Sequence, residues 1–260
     1  MLAKALFPVF RRVDFRGKGR LRRRLPVPHA GRPVVRFPGG VRLRLDLRES
    51  LQRDFYFGLY DQHELRLVSR YLRSGGDFVD VGAHIGMYAV RAAVELRGRG
   101  RVLAFEPNPS ARAQLAENLA LNGCDNAIVV AAAVTAVAGL AELHVSASDD
   151  PSFSSLEGGR FAEREPLQVE TMTLDDAIAE HGLRPAVVKI DVEGGELDVL
   201  RGAARTLAGA RPVLFVEVSE QSGRDVERLL DGYRSFRVAR RRLLPGLTGG
   251  RGLFNALFLP

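Results

Sequence analysis

Two apolar runs in this chain end in groups that can do chemistry. The stretch Val187-Val188-Lys189-Ile190-Asp191-Val192-Glu193-Gly194-Gly195 carries three charged side chains out of a strand-like segment. Side chains alternate across a strand, so Lys189, Asp191 and Glu193 share one side until the chain turns. A carboxylate within hydrogen-bond reach of a substrate hydroxyl can accept its proton as it reacts. Asp191 and Glu193 both qualify as that base. Lysine occurs only at positions 4, 18 and 189 among 38 basic residues; the others are arginine. In so arginine-biased a chain, Lys189 points to a need for a compact ammonium. An ion pair between Lys189 and a neighbouring carboxylate is the plain structural alternative. Glu217, near the end of the apolar run Val213 to Val218, is a weaker catalytic candidate or a simple polar strand end.

The second run, Phe78-Val79-Asp80-Val81-Gly82-Ala83-His84-Ile85-Gly86, reads as a buried strand and a tight glycine turn. An apolar-periodic helix follows it. Gly82 and Gly86 remove side chains where a cofactor would touch the backbone, and the helix start offers N–H groups. Val102 to Phe105 is the next strand, and Glu106 follows it about twenty residues after the turn, as a ribose diol requires. A dinucleotide site wants G-x-G-x-x-G, with a glycine in the middle so that pyrophosphate can approach. Here the middle position is His84, and Asp80 would repel a pyrophosphate. A carboxylate there suits a cofactor with an amine and a sulfonium, so S-adenosylmethionine is favoured over NAD. His84 is also a rival base, since its ordinary pKa suits neutral pH; a hydrogen bond of the cofactor loop is its other reading.

Asp80-Val-Gly-Ala-His-Ile-Gly86, Phe105-Glu-Pro-Asn-Pro109, Leu115-x-x-Asn118-x-x-Leu121-Asn122 and Lys189-Ile-Asp-Val-Glu-Gly194 resemble, in residues and in order, the FkbM family of class I S-adenosylmethionine-dependent methyltransferases. Thr173-Leu-Asp175 and Leu214-Phe-Val-Glu217 extend the likeness, which covers about residues 60 to 220. One departure is His84, where the family usually has Asn. The resemblance implies a doubly wound, Rossmann-like α/β sheet and O-methylation of a sugar, glycan or natural-product hydroxyl. It places Asp191 and Glu193 near the transferred methyl group, with Lys189 beside them. It assigns the cofactor to Asp80, Gly82, Ala83, His84 and Gly86, with Glu106 and Asn108 from the next strand end. Other function classes are a nucleic-acid or protein methyltransferase, and a non-catalytic S-adenosylmethionine- or NAD-binding module. Amino-methylating DNA enzymes of this fold show Asn/Asp-Pro-Pro-aromatic where this chain has Asp191-Val-Glu-Gly. A complete charged strand end argues against an inert module.

The 260 residues fit one large α/β domain with extensions. The expected division is a basic N-terminal arm and β-hairpin over 1–48, then a methyltransferase domain over 49–260. Residues 1–48 carry Lys4, Lys18 and twelve arginines against Asp14 and Asp46, a net +12; the whole chain is +7, which leaves −5 for the remainder. Leu2, Ala5, Leu6, Val9, Phe10 and Val13 fall at helical spacing, although Pro8 weakens such a helix outside its first turn. An anionic lipid surface is one partner for this arm; docking on the domain, or disorder, is the other reading. Nucleic acid is less favoured because no aromatic interleaving accompanies the charge. There is no signal-peptide pattern and no apolar run long enough to span a bilayer. With Cys124 as the single cysteine, a reducing, cytoplasmic location is expected, peripheral at the inner membrane if the arm binds lipid. No metal is expected: Asp149-Asp150 lacks accompanying ligands at metal spacing, and Asp191 and Glu193 could hold a hard cation but with Asp80 nowhere near.

The positioning elements follow from pattern. Val34 to Leu47 reads as a hairpin around Pro38-Gly39-Gly40, and His63 to Tyr71 as a helix. A helix over Ser110 to Asn122 is expected with Ser110 as cap, and one over Thr173 to His181 with a Thr173/Asp176 start. Strands are expected over Ile128 to Val134, Glu142 to Ser146, Val187 to Val192, Val213 to Val218 and Leu253 to Leu259. Residues 147 to 166 are polar and Gly/Pro-punctuated, like a loop or lid.

Overall fold

The computed structural model describes residues 31–60, 62–146, 154–158, 165–239, 242–248 and 252–260. The amphipathic spacing over residues 2–13 and most of the expected loop at 147–166 lie outside them.

The described chain opens on the expected hairpin. Strand β1 (Val34–Arg36) pairs antiparallel with β2 (Arg42–Arg44) across a 3-10 turn at Pro38–Gly40. Gly39 and Gly40 take φ of 79° and 81° there, a region that favours glycine. Val35 and Leu43 are buried while the flanking arginines point outward, as strand alternation dictates. Next come α1 (Ser50–Phe57), α2 (Gln62–Tyr71), β3 (Asp77–Val81), α3 (Met87–Glu95), β4 (Val102–Phe105), α4 (Pro109–Leu121) and β5 (Ala127–Val130). Four strands follow: β6 (Ala132–Val134), β7 (Gly139–Val145), β8 (Ser154–Ser155) and β9 (Leu167–Met172). The chain continues through α5 (Leu174–His181), β10 (Pro185–Ile190), α6 (Glu196–Arg201), α7 (Ala204–Gly209), β11 (Val213–Val218) and α8 (Glu220–Leu229). It closes with β12 (Arg234–Ala239), β13 (Arg242–Pro245) and β14 (Phe254–Leu259).

The central sheet has the order β13-β12-β14-β11-β10-β3-β4-β5. The five strands from β11 to β5 are parallel, and β14, β12 and β13 add antiparallel pairings at one side. Strand β3 is central: β4 and β5 build outward on one side, β10 and β11 on the other. That is a doubly wound sheet, whose ligand crevice lies where the strand order reverses. Here the reversal falls between β3 and β10, the two strands that carry the glycine turn and the charged run. The parallel strands are mostly apolar because both faces are covered, and Asp80, Lys189 and Glu217 are the charged exceptions near their carboxyl ends. Phe78, Val187 and Phe215 face the hairpin, α2, α3 and α4. Val79, Val81, Val188 and Ile190 face α5, α6 and α8.

Three expectations are corrected. The run Ile128 to Val134 is two strands that part at Ala131: β5 joins the central sheet, whereas β6 pairs parallel with β9 in a second, four-stranded sheet of order β6-β9-β7-β8. Ser154–Ser155, expected within a loop, pairs with β7 as an edge of that second sheet. Asn108, not Ser110, caps α4: its side chain accepts from the Ser110 N–H at 3.0 Å, and Pro109 supplies the fixed φ of a first helical residue. Thr173 caps α5 as expected, accepting from Asp176 N–H at 3.1 Å.

The hairpin is bolted to α4 by amides. Asn118 Oδ1 accepts from Arg44 N–H at 2.7 Å, and Asn122 Oδ1 accepts from Arg42 N–H at 2.9 Å. Asn118 Nδ2 also donates to the Ile85 carbonyl at 2.9 Å, so one fully buried amide joins hairpin, helix and glycine turn. Truncating it leaves a buried N–H and a buried C=O unpaired. Asn118→Ala is expected to lower unfolding free energy by roughly 1–3 kcal/mol, read as a reduced urea midpoint.

Candidate functional site

A cleft of about 500 Å³ opens at the carboxyl ends of β3, β4, β10 and β11. Gly82, His84, Glu106, Asp191, Glu193 and Glu217 line it from the central sheet. Ala133, Leu143 and Ser155 line it from the second sheet, which therefore forms one wall. Of the other residues singled out in the sequence, Asp80, Ala83, Gly86, Asn108 and Lys189 stand behind this lining.

The glycine turn is shaped first by its protein neighbours. A Cβ on Gly82 would lie 1.9 Å from the Asp191 carbonyl oxygen, and the residue has φ of 84°. Any side chain there would push the ends of β3 and β10 apart. A Cβ on Gly86 would lie 2.6 Å from Leu115 Cδ1, so that glycine clears α4. The N–H groups expected to serve a ligand are engaged within the fold. Gly82 and Ala83 donate to the Phe105 carbonyl at 3.1 and 2.9 Å, Gly86 to Ala83, and His84 to Glu106 Oε2 at 2.7 Å. His84 itself has φ of 49°. Among non-glycine residues Asn, Asp and His best tolerate that region, which accounts for the histidine where an asparagine is usual. Its Nε2 faces Glu49 Oε2 at 3.7 Å.

Glu106 sits at the end of β4 with both carboxylate oxygens oriented: Oε2 accepts from His84 N–H, and Oε1 from Asn108 N–H at 2.9 Å. Burial pushes its pKa up to about 7, against the opposing pull of those two N–H groups and Arg112. Each oxygen retains a second lone pair, so the carboxylate can accept further hydrogen bonds from a diol in the cleft.

Lys189 is 2 % exposed, and its Nζ donates to Asp191 Oδ2 at 2.7 Å. The ammonium also lies 4.6 Å from the centroid of the Tyr88 ring. Burial disfavours its charge, but the carboxylates of Asp191, Glu64 and Asp80 outweigh this and hold its pKa above the ordinary lysine range. Asp80 is level with Lys189 in the β3–β10 register and almost fully buried. Burial raises its pKa to about 7, with Lys189 pulling the other way. Asp80 is therefore a partner of the lysine beneath the cleft, closer to this cluster than the sequence implied.

Glu193 adopts φ of 57°, and its carbonyl accepts from Ser155 Oγ at 2.9 Å, which ties the β10 turn to the second sheet. The carboxylates of Asp191, Glu193 and Glu217 present oxygens within 4.8 Å of one another. That spacing suits a hard cation, although Asp191 already holds the Lys189 ammonium. Glu64 and Tyr88 belong to this cluster and were missed in the sequence. Glu64 is buried on α2 and acts on the ammonium across the tertiary structure, which no local pattern marks.

Residues 80–238 match the profile of the Methyltransferase FkbM domain. The chain is 31% identical over 157 residues to 2-O-methyltransferase NoeI of Sinorhizobium fredii, covering 55% of this chain and 63% of that protein. It is 30% identical over 175 residues to hexuronic acid methyltransferase AglP of Haloferax volcanii, covering 65% of this chain and 67% of that one. The match thus spans less than two thirds of NoeI. The solved structure of methyltransferase FkbM from Methylobacillus flagellatus is 20% identical, with a TM-score of 0.48, over 79% of this chain and 52% of that one.

Lys189→Met removes the cation from a buried group of carboxylates and is expected to cost about 3–5 kcal/mol near neutral pH. Without the ammonium, Asp80 and its neighbours bind protons more tightly folded than unfolded, so stability falls as pH rises through that window. The variant's urea midpoint should therefore be higher at about pH 5 than at about pH 8. A midpoint unchanged from the parent at both would show the cluster to be neutral in stability.

Proposed function

The chain belongs to the Methyltransferase FkbM domain family, and on that premise we propose that it transfers a methyl group from S-adenosylmethionine to a hydroxyl of a sugar or glycan. The observation that carries this is the oriented Glu106 carboxylate in the same cleft as the Asp191/Glu193/Glu217 set. One end of the cleft suits a ribose diol, the other an acceptor hydroxyl. A volume near 500 Å³ is within the range of small-molecule sites. The acidic lining complements a cofactor that carries a sulfonium and an ammonium. The two curated relatives are named as a 2-O-methyltransferase and a hexuronic acid methyltransferase, which favours a sugar acceptor.

S-adenosylmethionine brings an already activated methyl group, so the protein's work is alignment. Glu106 fixes the nucleoside through its diol. The turn Gly82-Ala83-His84-Ile85-Gly86 sets the floor, with Asn108 holding α4 and Glu106 in place. Asp80 and Lys189 lie below and fix the direction of Asp191. Asp191 and Glu193 orient the acceptor hydroxyl, and positioning of this kind can supply roughly 7–11 kcal/mol of a barrier. The basic N-terminal segment gives the protein a surface for anionic lipid, with the active cleft in the cytoplasm. Among the described residues no helix is long and apolar enough to cross a membrane.

Calorimetric titration should show S-adenosylhomocysteine binding and no NAD binding; the reverse would sink the proposal. Glu106→Ala should weaken that binding by about 1.5–3 kcal/mol. Binding to the parent should tighten between about pH 6 and about pH 8 as Glu106 ionises, and the dependence should flatten in Glu106→Gln. With methyl-labelled S-adenosylmethionine and a panel of neutral hexosides, N-acetylhexosaminides and hexuronides, at least one glycoside should be methylated. Asp191→Asn or Glu193→Gln should then lower turnover by about 100-fold.

The lipid contact has its own test. Deleting residues 1–24 should abolish salt-sensitive pelleting with phosphatidylglycerol vesicles and leave S-adenosylhomocysteine affinity intact. Equal pelleting of the two forms would remove the membrane from the proposal.

A further inference from the structure

We propose that Glu217, near the end of β11, takes the proton of the acceptor hydroxyl during transfer. This rests on the methyltransferase reading of the cleft and goes beyond the choice between Asp191 and Glu193.

The three carboxylates that converge at the strand ends are not equivalent. Asp191 is held by the Lys189 ammonium at 2.7 Å. That charge-assisted hydrogen bond fixes the direction of its carboxylate and occupies one of its oxygens, so Asp191 is suited to orient. Glu193 sits on a strained turn pinned through its carbonyl by Ser155, and it is placed by the loop and not by the sheet. Glu217 stands on a central strand flanked by β10 and β14, the most rigid platform of the three. It lines the cleft, and its inner oxygen, Oε2, is buried and makes no hydrogen bond among the described residues. No donor of the fold therefore stabilises its negative charge through that oxygen.

The groups facing Glu217 act in the same direction. Asp191 and Glu193 from the β10 end and Glu196 from the first turn of α6 repel its charge, while Lys189, the attractive neighbour among the described residues, is already engaged by Asp191. Asn255, opposite in the β14 register, adds no charge. Burial first, and then Asp191 and Glu193, push the Glu217 pKa up to about 8. A base is most effective when its proton affinity is high but a useful fraction is still ionised at the working pH. Glu217, placed in the cleft with an unbonded inner oxygen among the described residues, has that balance.

The step balances without another reactant. The acceptor oxygen forms a bond to the methyl carbon, the carbon–sulfur bond breaks with its electron pair going to sulfur, and the hydroxyl proton passes to the Glu217 carboxylate. The proton leaves to solvent when the products depart.

The test is the pH profile of methyl transfer to whichever glycoside of the panel is accepted, using the full chain. The parent's kcat/KM should rise to a plateau with a midpoint near 8, the pH at which Glu217 ionises. Glu217→Gln should lose the rising limb and about 100-fold or more in kcat, while S-adenosylhomocysteine affinity stays within about threefold. Glu217→Asp keeps the charge but withdraws it by one methylene, so it should retain the limb at a rate about tenfold lower or less. Full turnover in either variant, or an unchanged limb in Glu217→Gln, overturns the assignment. Should Glu217→Gln fail to fold, Glu217→Asp decides alone. Should no glycoside be accepted, a carbon-13 titration of the glutamate carboxyls in the S-adenosylhomocysteine-loaded parent decides. A Glu217 signal ionising below about pH 6 overturns the proposal, and one near 8 supports it. Failure to bind S-adenosylhomocysteine at all counts instead against the methyltransferase reading.

Discussion

The site depends on one buried ammonium. Lys189 lies at the switch point of the doubly wound sheet, level with Asp80 across the β3–β10 pairing and bonded to Asp191 above it. An isolated charge at that depth would be strongly unfavourable, and the acids left without the ammonium would take up protons instead. Together they form a polar core in which each charge is offset by its neighbours. This couples the two strand ends electrostatically where the backbone couples them sterically, since the Asp191 carbonyl occupies the space a side chain at position 82 would need. An arginine cannot substitute readily. Its planar fork is larger than the ammonium and matches neither the single Asp191 oxygen nor the Tyr88 face in the same way.

Much of this was legible because the strands are short, apolar and punctuated by glycine. The order of the motifs gave the sheet, and the end of each run gave a candidate group that the fold brings to one crevice: Gly82 from β3, Glu106 after β4, Asp191 and Glu193 after β10. Lysine scarcity was a compositional signal, and the structure answers it with the ion pair between Lys189 and Asp191. The proposed function rests on the site and the family, and the fold alone would not have suggested it.

What could not be read has physical reasons. Periodicity cannot show that a run of seven residues changes sheet at Ala131, because both halves are apolar and extended. Edge strands as short as Ser154–Ser155 have no propensity signal of their own and exist through their pairing with β7. The buried acid Glu64 and the amide Asn118 act across the tertiary structure, over partners far away in sequence, and nothing in their local context announces it. Capping shows the opposite case: Asn108-Pro109-Ser110 offered two polar caps, and the proline decided for Asn108, since its fixed φ belongs just inside a helix.

The carboxylates of the cleft divide by environment more than by type. Glu106 and Glu217 both have pKa values raised mainly by burial, to about 7 and about 8. Glu106 already accepts two backbone N–H groups, so added hydroxyl donors from a ligand would complete a site that favours its ionised form. Glu217 has no such donors at its inner oxygen, so what relieves it is a proton. Asp191 is held in direction by the Lys189 ammonium at 2.7 Å and is suited to orient. Acids whose environments push their affinities apart can bind, orient and accept a proton in one crevice at one pH.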